Sequence, residues 1–279
     1  MRKKHLPFIA AASLFAFTRA HAQFADSVVA YSSGTGVSAG FTNPGMALGA
    51  PSQVNPFGEG TDPFNPPYGT NQIVSLGAGG LLTVQFNSPV VNDPSHPFGL
   101  DFIIFGNSGF VITNGDFSGG GITDGSLFSN NAGTTRVSVS LDNITYYTLD
   151  PARASVVDGL FPTDGTGSFQ RPVNPSLTNA DFSGQGLAGI RALYGGSAGG
   201  VGFDLDWARD GSGNNVSLAG INFVRVEVLT GKSEIDGFAA VPEPASWTLI
   251  LFGALGLSSA RRLSAWRPTL SRFPFARRS

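Results

Sequence analysis

Apolar and polar residues alternate from Leu81 to Phe86. Leu82, Val84 and Phe86 fall on one face, with Leu81, Thr83 and Gln85 on the other. A period of two is the signature of a half-buried strand. Ile73–Leu76 precedes it across Gly77-Ala78-Gly79-Gly80, and the pair predicts a hairpin. The alternation returns at Val137, Val139 and Leu141, separated by Ser138 and Ser140. Asp142-Asn143, which tolerate positive φ, then lead into Ile144–Leu149. This predicts a second hairpin over Thr134–Leu149 with a two-residue turn.

Leu100–Phe105 is apolar throughout except at Asp101, which predicts a central buried strand. Gln23–Tyr31 predicts a first strand. Ile221–Leu229 and Glu234–Val241 predict two closing strands joined by Thr230–Ser233. A helical period occurs only within Asn179–Leu193, around Gly186–Leu193, and its glycines weaken it. Long Gly/Pro/Asn loops fill Ser32–Thr70 and Asp150–Leu177, and Gln53–Thr70 carries no pattern that would assign it an element. Many short strands with turn signals between them predict an all-β fold, an antiparallel β-sandwich with long Gly/Pro loops.

Both ends of the chain carry different patterns. Arg2, Lys3 and Lys4 precede an apolar core, Leu6–Phe17, and then Ala20-His21-Ala22. A basic start, a short apolar core and a small-x-small site are the three parts of a secretory signal, with Gln23 as the mature start. Signal peptidase and the Sec machinery are the partners it implies. Near the other end, Ala245–Ala260 is apolar for 16 residues. As a helix it would be about 24 Å long, short against a hydrocarbon core of about 30 Å. It would therefore serve as a transient membrane anchor. Arg261, Arg262, Arg267, Arg272, Arg277 and Arg278 follow with no acidic residue among them, which places this tail on the cytoplasmic side. The expected organisation is a signal peptide (1–22), an exported domain (23–241), a sorting segment (242–262) and a basic cytoplasmic tail (263–279).

Val241-Pro242-Glu243-Pro244-Ala245-Ser246, followed by an apolar helix and an arginine pair, resembles the PEP-CTERM sorting tail of Gram-negative bacteria. Pro242, Glu243 and Pro244 match the motif residue by residue, and Arg261 and Arg262 match its basic end. The resemblance implies an exosortase as partner, a transpeptidase-like membrane enzyme that cuts near the triplet and passes the protein to the cell surface or matrix. Such tails usually stop soon after the arginines; here 17 residues, Leu263–Ser279, follow. The exported region is similar to ectodomains of PEP-CTERM surface proteins in Asp101–Phe105, in Gly199-Gly200 with Phe203-Asp204-Leu205, and in Glu234–Val241. Its layout resembles galactose-binding-like jelly rolls in Ala47–Pro51, Leu76-Gly77 and Glu234-Ile235-Asp236. These likenesses imply a jelly-roll-like sandwich without an assigned activity.

Charge sharpens this picture. The sorting segments hold ten of the 17 basic residues, so the exported region keeps seven against 18 acidic ones, a formal charge of −11. That disfavours nucleic acid and anionic membrane surfaces as partners. The chain has no Cys, so its stability has to come from an apolar core and not from disulfides.

Candidate chemistry is sparse. Asp204, Asp206 and Asp210 lie in one loop with Gly211 and Asn214, and a structural calcium ion is the one cofactor they suggest. An EF-hand counted from Asp206 fails, with Ala208 at its third position and Ser217 at its twelfth. Gly195-Gly196-Ser197-Ala198-Gly199 matches a nucleophile elbow, but the only His outside the signal segment, His96, lies upstream of Ser197. His96 sits in the turn Asp93–Pro97 and is expected to be exposed. Trp207 and Tyr194 are the foremost sugar-stacking candidates, beside Tyr31, Tyr68, Tyr146 and Tyr147. The expected function is that of a non-enzymatic surface or matrix protein linked to exopolysaccharide. The alternatives are a carbohydrate-binding adhesin module and a secreted glycoside hydrolase.

Overall fold

The computed structural model describes residues 23–128 and 133–243. These residues form a mostly β fold whose strands all pair antiparallel. The strands are β1 (Ser27–Ser32), β2 (Val74–Gly77), β3 (Leu81–Val91), β4 (Phe102–Phe105), β5 (Gly109–Phe110), β6 (Leu127–Phe128) and β7 (Thr134–Ser140). They continue as β8 (Tyr147–Leu149), β9 (Val201–Phe203), β10 (Ala208–Arg209), β11 (Gly220–Thr230), β12 (Lys232–Ile235) and β13 (Gly237–Ala240). Two short helices, α1 (Asn179–Phe182) and α2 (Leu187–Tyr194), lie in the long loop before β9. The expected signal segment (1–22) and the apolar stretch Ala245–Ala260 lie outside the described residues, within which no helix is long and apolar enough to cross a membrane.

A six-stranded sheet runs β1-β3-β11-β7-β8-β10, and a three-stranded sheet runs β13-β4-β9. Their inner faces share one core. Leu82, Val84, Val137, Val139, Val224 and Val226 come from the first sheet; Phe102, Ile104, Phe203 and Phe238 come from the second. The alternation along β3, β7 and β11 is the period expected of a sheet with one buried face. β4 has no such period because both of its faces are covered. Phe102 and Ile104 enter the main core, whereas Ile103 and Phe105 pack on Phe169, Ala198 and Ala239 on the other side. Gly200 lies against that second face at φ +78°, and a Cβ there would come within 2.6 Å of Ile103 and 2.8 Å of the Phe105 ring. A third cluster, Phe64, Phe110, Val173, Phe182, Ile190 and Tyr194, buries α1 and α2.

Four sequence expectations change. The stretch Ile73–Phe86 is not a hairpin: β2 pairs with β12 and β3 with β1 and β11. The intervening glycines allow backbones to approach closely. The Ser33–Thr35 backbone passes against them, and a Cβ on Gly77 would lie 2.2 Å from the Thr35 carbonyl oxygen. Glycines serving a hairpin turn and glycines serving a close crossing read alike in sequence.

The β7–β8 hairpin exists, with Ser138 opposite Thr148, but six residues connect its strands. Asn143 does take φ +60°, and the Asp142 carboxylate accepts from the Ile144 and Thr145 N–H groups. This leaves Leu141 and Ile144 exposed. The expected strand Glu234–Val241 breaks at Asp236 into β12 and β13, which belong to different sheets. The expected strand Gln23–Tyr31 switches sheets in the same way: Phe24 bridges Ala239 of β13, and only from Ser27 does the chain join β3.

Gln53–Thr70, without hydropathy pattern, is nonetheless ordered. Val54 bridges Gly60, and Asp62 bridges Asn65. Its order comes from side chains bonding to backbone, to which hydropathy patterns are blind.

Candidate functional site

The β13 edge of the three-stranded sheet brings residues 23–25 and 240–242 together. Residues 23–25 run beside β13. The Ala240 N–H donates to the Gln23 carbonyl at 2.9 Å, and the Ala25 N–H to Phe238 at 3.2 Å. Val241 continues the strand, donating its N–H to the Asp101 carbonyl at 2.8 Å, and its side chain is buried with Phe24. Pro242 and Glu243 are exposed. A shallow cleft of about 350 Å³ opens at this edge, lined by Pro97, Ser168, Gln170, Arg171, Gly196, Val241 and Pro242. Gln170 donates to the Ala240 carbonyl at 3.2 Å, tying the cleft wall to the last strand. Ala20, Ala22, Pro244, Arg261 and Arg262 lie outside the described residues.

The three aspartates picked out for calcium do not converge, and among the described residues no three His, Cys, Asp or Glu side chains are placed to hold a metal ion. Asp204 caps a one-turn 3-10 helix, Leu205–Trp207, by accepting from the Asp206 N–H. Asp206 accepts from the Asn92 amide at 2.8 Å. Asp210 closes its own turn, accepting from the N–H groups of Ser212 and Asn214. Burial raises the Asp204 carboxyl above the usual range, opposed by the Asp206 N–H and reinforced by the neighbouring Asp101 and Asp206 charges.

His96 is buried, not exposed. Its Nδ1 lies 2.8 Å from Asp101 Oδ1, and both side chains are shielded from solvent. Asp101 Oδ2 accepts from the Leu205 N–H at 2.8 Å, and Oδ1 also from the Asp93 N–H at 3.1 Å. Burial pushes the Asp101 carboxyl up against these stabilising donors. Asp101 thus fastens the 93–101 loop to the turn after β9. The turn residues around His96 concealed this, because the partner lies five residues on, inside a run that otherwise reads as strand. His96 Nε2 and Asn107 Oδ1 are buried without a hydrogen-bond partner among the described residues.

Of the two sugar-stacking candidates, Tyr194 is a core residue. It is buried, and its hydroxyl donates to the Pro162 carbonyl at 2.8 Å. Burial raises that hydroxyl well above its ordinary value. Trp207 is half-buried, edge-on to Phe203 at 6.5 Å, with the Arg153 guanidinium 5.7 Å from its ring centroid. The buried Tyr194 ring offers no stacking face, and Arg153 occupies one face of Trp207. Tyr146 carries Arg225 at 3.7 Å.

Ser197 is buried in the loop between α2 and β9, so it follows a helix and precedes a strand, the reverse of a nucleophile elbow. Its hydroxyl accepts from the Gly199 N–H at 3.0 Å. The buried carboxylates are bonded within the fold. Asp164 accepts two bonds from Arg191, at 2.7 and 3.0 Å. Asp158 accepts from the Asn107 and Ser108 N–H groups at 2.8 Å each. Glu234 accepts from Ser38 at 2.6 Å and Asn107 at 2.7 Å. Asp236 accepts from the Ser52 N–H and hydroxyl at 2.7 Å each.

Comparison with protein-family models and with curated proteins finds no match to this chain.

Proposed function

We propose that the chain is a non-enzymatic exported protein of the cell surface or extracellular matrix, built as a jelly-roll-like β-sandwich and released from its membrane anchor by an exosortase. The observation that supports this reading is that Pro242, the first residue of the Pro-Glu-Pro triplet, follows directly on the end of the described fold. Among the described residues the last strand ends at Ala240 and Val241 is the last buried one, and the compact unit closes at Pro242. A cut near the triplet would leave every described strand on the exported side. The start expected after signal cleavage, Gln23, is hydrogen-bonded to that same strand, β13, which supports a reading in which both proposed cuts lie near one sheet edge. The sandwich reading rests on the core shared by the six-stranded and three-stranded sheets. The absence of Cys and the charge of −11 agree with a soluble domain stabilised by its core outside the cell.

Replacing Pro242, Glu243 and Pro244 together with alanine should leave a full-length, membrane-retained protein, because the apolar stretch and the arginines remain. Fractionation of cells followed by immunoblotting reads the outcome. Release of the variant as efficiently as the wild type would reduce the triplet to a linker and remove the basis of the proposal.

A further inference from the structure

We infer that the 53–72 loop is a glycan-binding site whose ligand is an amine-bearing polysaccharide, such as a polymer of glucosamine. Phe57 and Tyr68 stand at its tip, 79% and 41% exposed, with ring centroids 6.1 Å apart and planes inclined at 62°. Val54 and Pro56 beside them are also exposed. Scattered exposed apolar residues need no explanation, but these two rings are paired and their backbone is held rigidly. Asn55, itself buried, accepts the Phe57 and Glu59 N–H groups on Oδ1, at 2.9 and 3.1 Å. Gln72, also buried, accepts the Tyr68 and Gly69 N–H groups at 3.3 and 3.0 Å and donates to the Val54 carbonyl. Two buried amides thus fix the two stretches of backbone that carry the rings. Such a site loses little entropy when a ligand binds.

Size and charge select the ligand. A stable protein interface takes about 800 Å² from each partner, whereas a fully buried aromatic side chain supplies only about 150–250 Å². Two partly exposed rings match one or two sugar units. The loop between Gln53 and Gln72 contains Glu59 and Asp62 and no basic residue, within a region of formal charge −11. Glu59 is exposed, in the same turn as Phe57, and its Oε2 is 3.1 Å from Asn55 Nδ2. An anionic polysaccharide would be repelled. A protonated amino sugar would lay its C–H face on one ring and bring its ammonium to Glu59 and to the negative face of the other ring. This binding does not depend on processing at the triplet, so its failure leaves the export route standing.

The test is calorimetric titration of the purified full chain, in nonionic detergent and mildly acidic buffer, with a glucosamine oligosaccharide and with its fully N-acetylated counterpart. The wild type should bind the amine form at least tenfold more tightly than the acetylated one. Phe57→Ala/Tyr68→Ala should weaken that binding at least tenfold, and Glu59→Gln should reduce the preference for the amine. Both changes are at exposed side chains, so an unchanged melting temperature verifies the fold. Equal affinity in the aromatic double variant would mean only diffuse attraction to an acidic protein and would overturn the site. Equal binding of the acetylated oligosaccharide would overturn the assignment of the amine.

Discussion

Phe102→Ala should destabilise the protein by about 3–5 kcal/mol. Phe102 is fully buried on the inner face of the central strand of the three-stranded sheet, where its ring stacks on Phe203 at 5.2 Å with planes 16° apart. Truncation removes the ring and leaves a cavity between two sheets that cannot both close on it. For a domain of this size each kcal/mol corresponds to roughly 2–4 °C in melting temperature, so a fall of about 6–20 °C is expected. Ile144→Ala provides the contrast. That side chain is exposed in the β7–β8 connection, and its loss should change stability by no more than about 0.5 kcal/mol. Comparable effects from the two substitutions would mean that the two sheets do not enclose the main core.

The second large effect is on pH dependence. Asp236 is fully buried at the break between β12 and β13, and burial pushes its carboxyl up to about 7, against the lowering effect of the two Ser52 hydrogen bonds. An unfolded aspartate titrates near 3.9, so between about pH 4 and pH 7 the folded state binds the extra proton. Stability must then fall as pH rises through that window, because the raised group favours folding only while it is protonated. Asp101 and Asp204 are also raised by burial and add to the same trend. The gap for Asp236 corresponds to at most about 4 kcal/mol.

Below this window the sign reverses, since Asp93, Asp116, Asp124, Asp142 and Asp210 are held below the ordinary value by hydrogen bonds to their charged forms. In Asp236→Asn the amide oxygen can accept the Ser52 N–H and the amide nitrogen can donate to the Ser52 hydroxyl. That variant should be at least as stable as the wild type at about pH 8 and should show a flatter profile down to about pH 5. Urea unfolding across that range reads both. A wild-type stability that rises with pH between these limits would show that Asp236 is ionised in the fold.

The alternation at Leu82, Val84 and Phe86, and at Val137 and Val139, was legible because each strand has one face in the core. Leu100–Phe105 was legible as a central strand because it is apolar on both faces. Strand partners were not. Nothing local distinguishes β2 and β3, in separate sheets, from a hairpin, since the decision lies with the Ser33–Thr35 backbone crossing far away in sequence. Asp26 and Asp236 interrupt apolar stretches, and both mark places where the chain changes sheets; a lone acidic residue within such a run was the available signal. The candidate site was less legible than the fold. Asp204, Asp206 and Asp210 are close in sequence, but each carboxylate bonds to its own turn or to Asn92. Tyr194 reads as a candidate only because it is aromatic, and it lies in the core. Tyr68 is a candidate from sequence as an aromatic, but its pairing with Phe57 is not legible, because the loop has no hydropathy pattern and is ordered by Asn55 and Gln72 bonding to its backbone.

The most direct measurement is the intact mass of the protein recovered from outside the cells that make it. The proposed export and processing predict a product that begins at Gln23 and ends at or beside Pro242–Pro244. An external product that still carries Arg261, Arg262 and the 263–279 tail would contradict it.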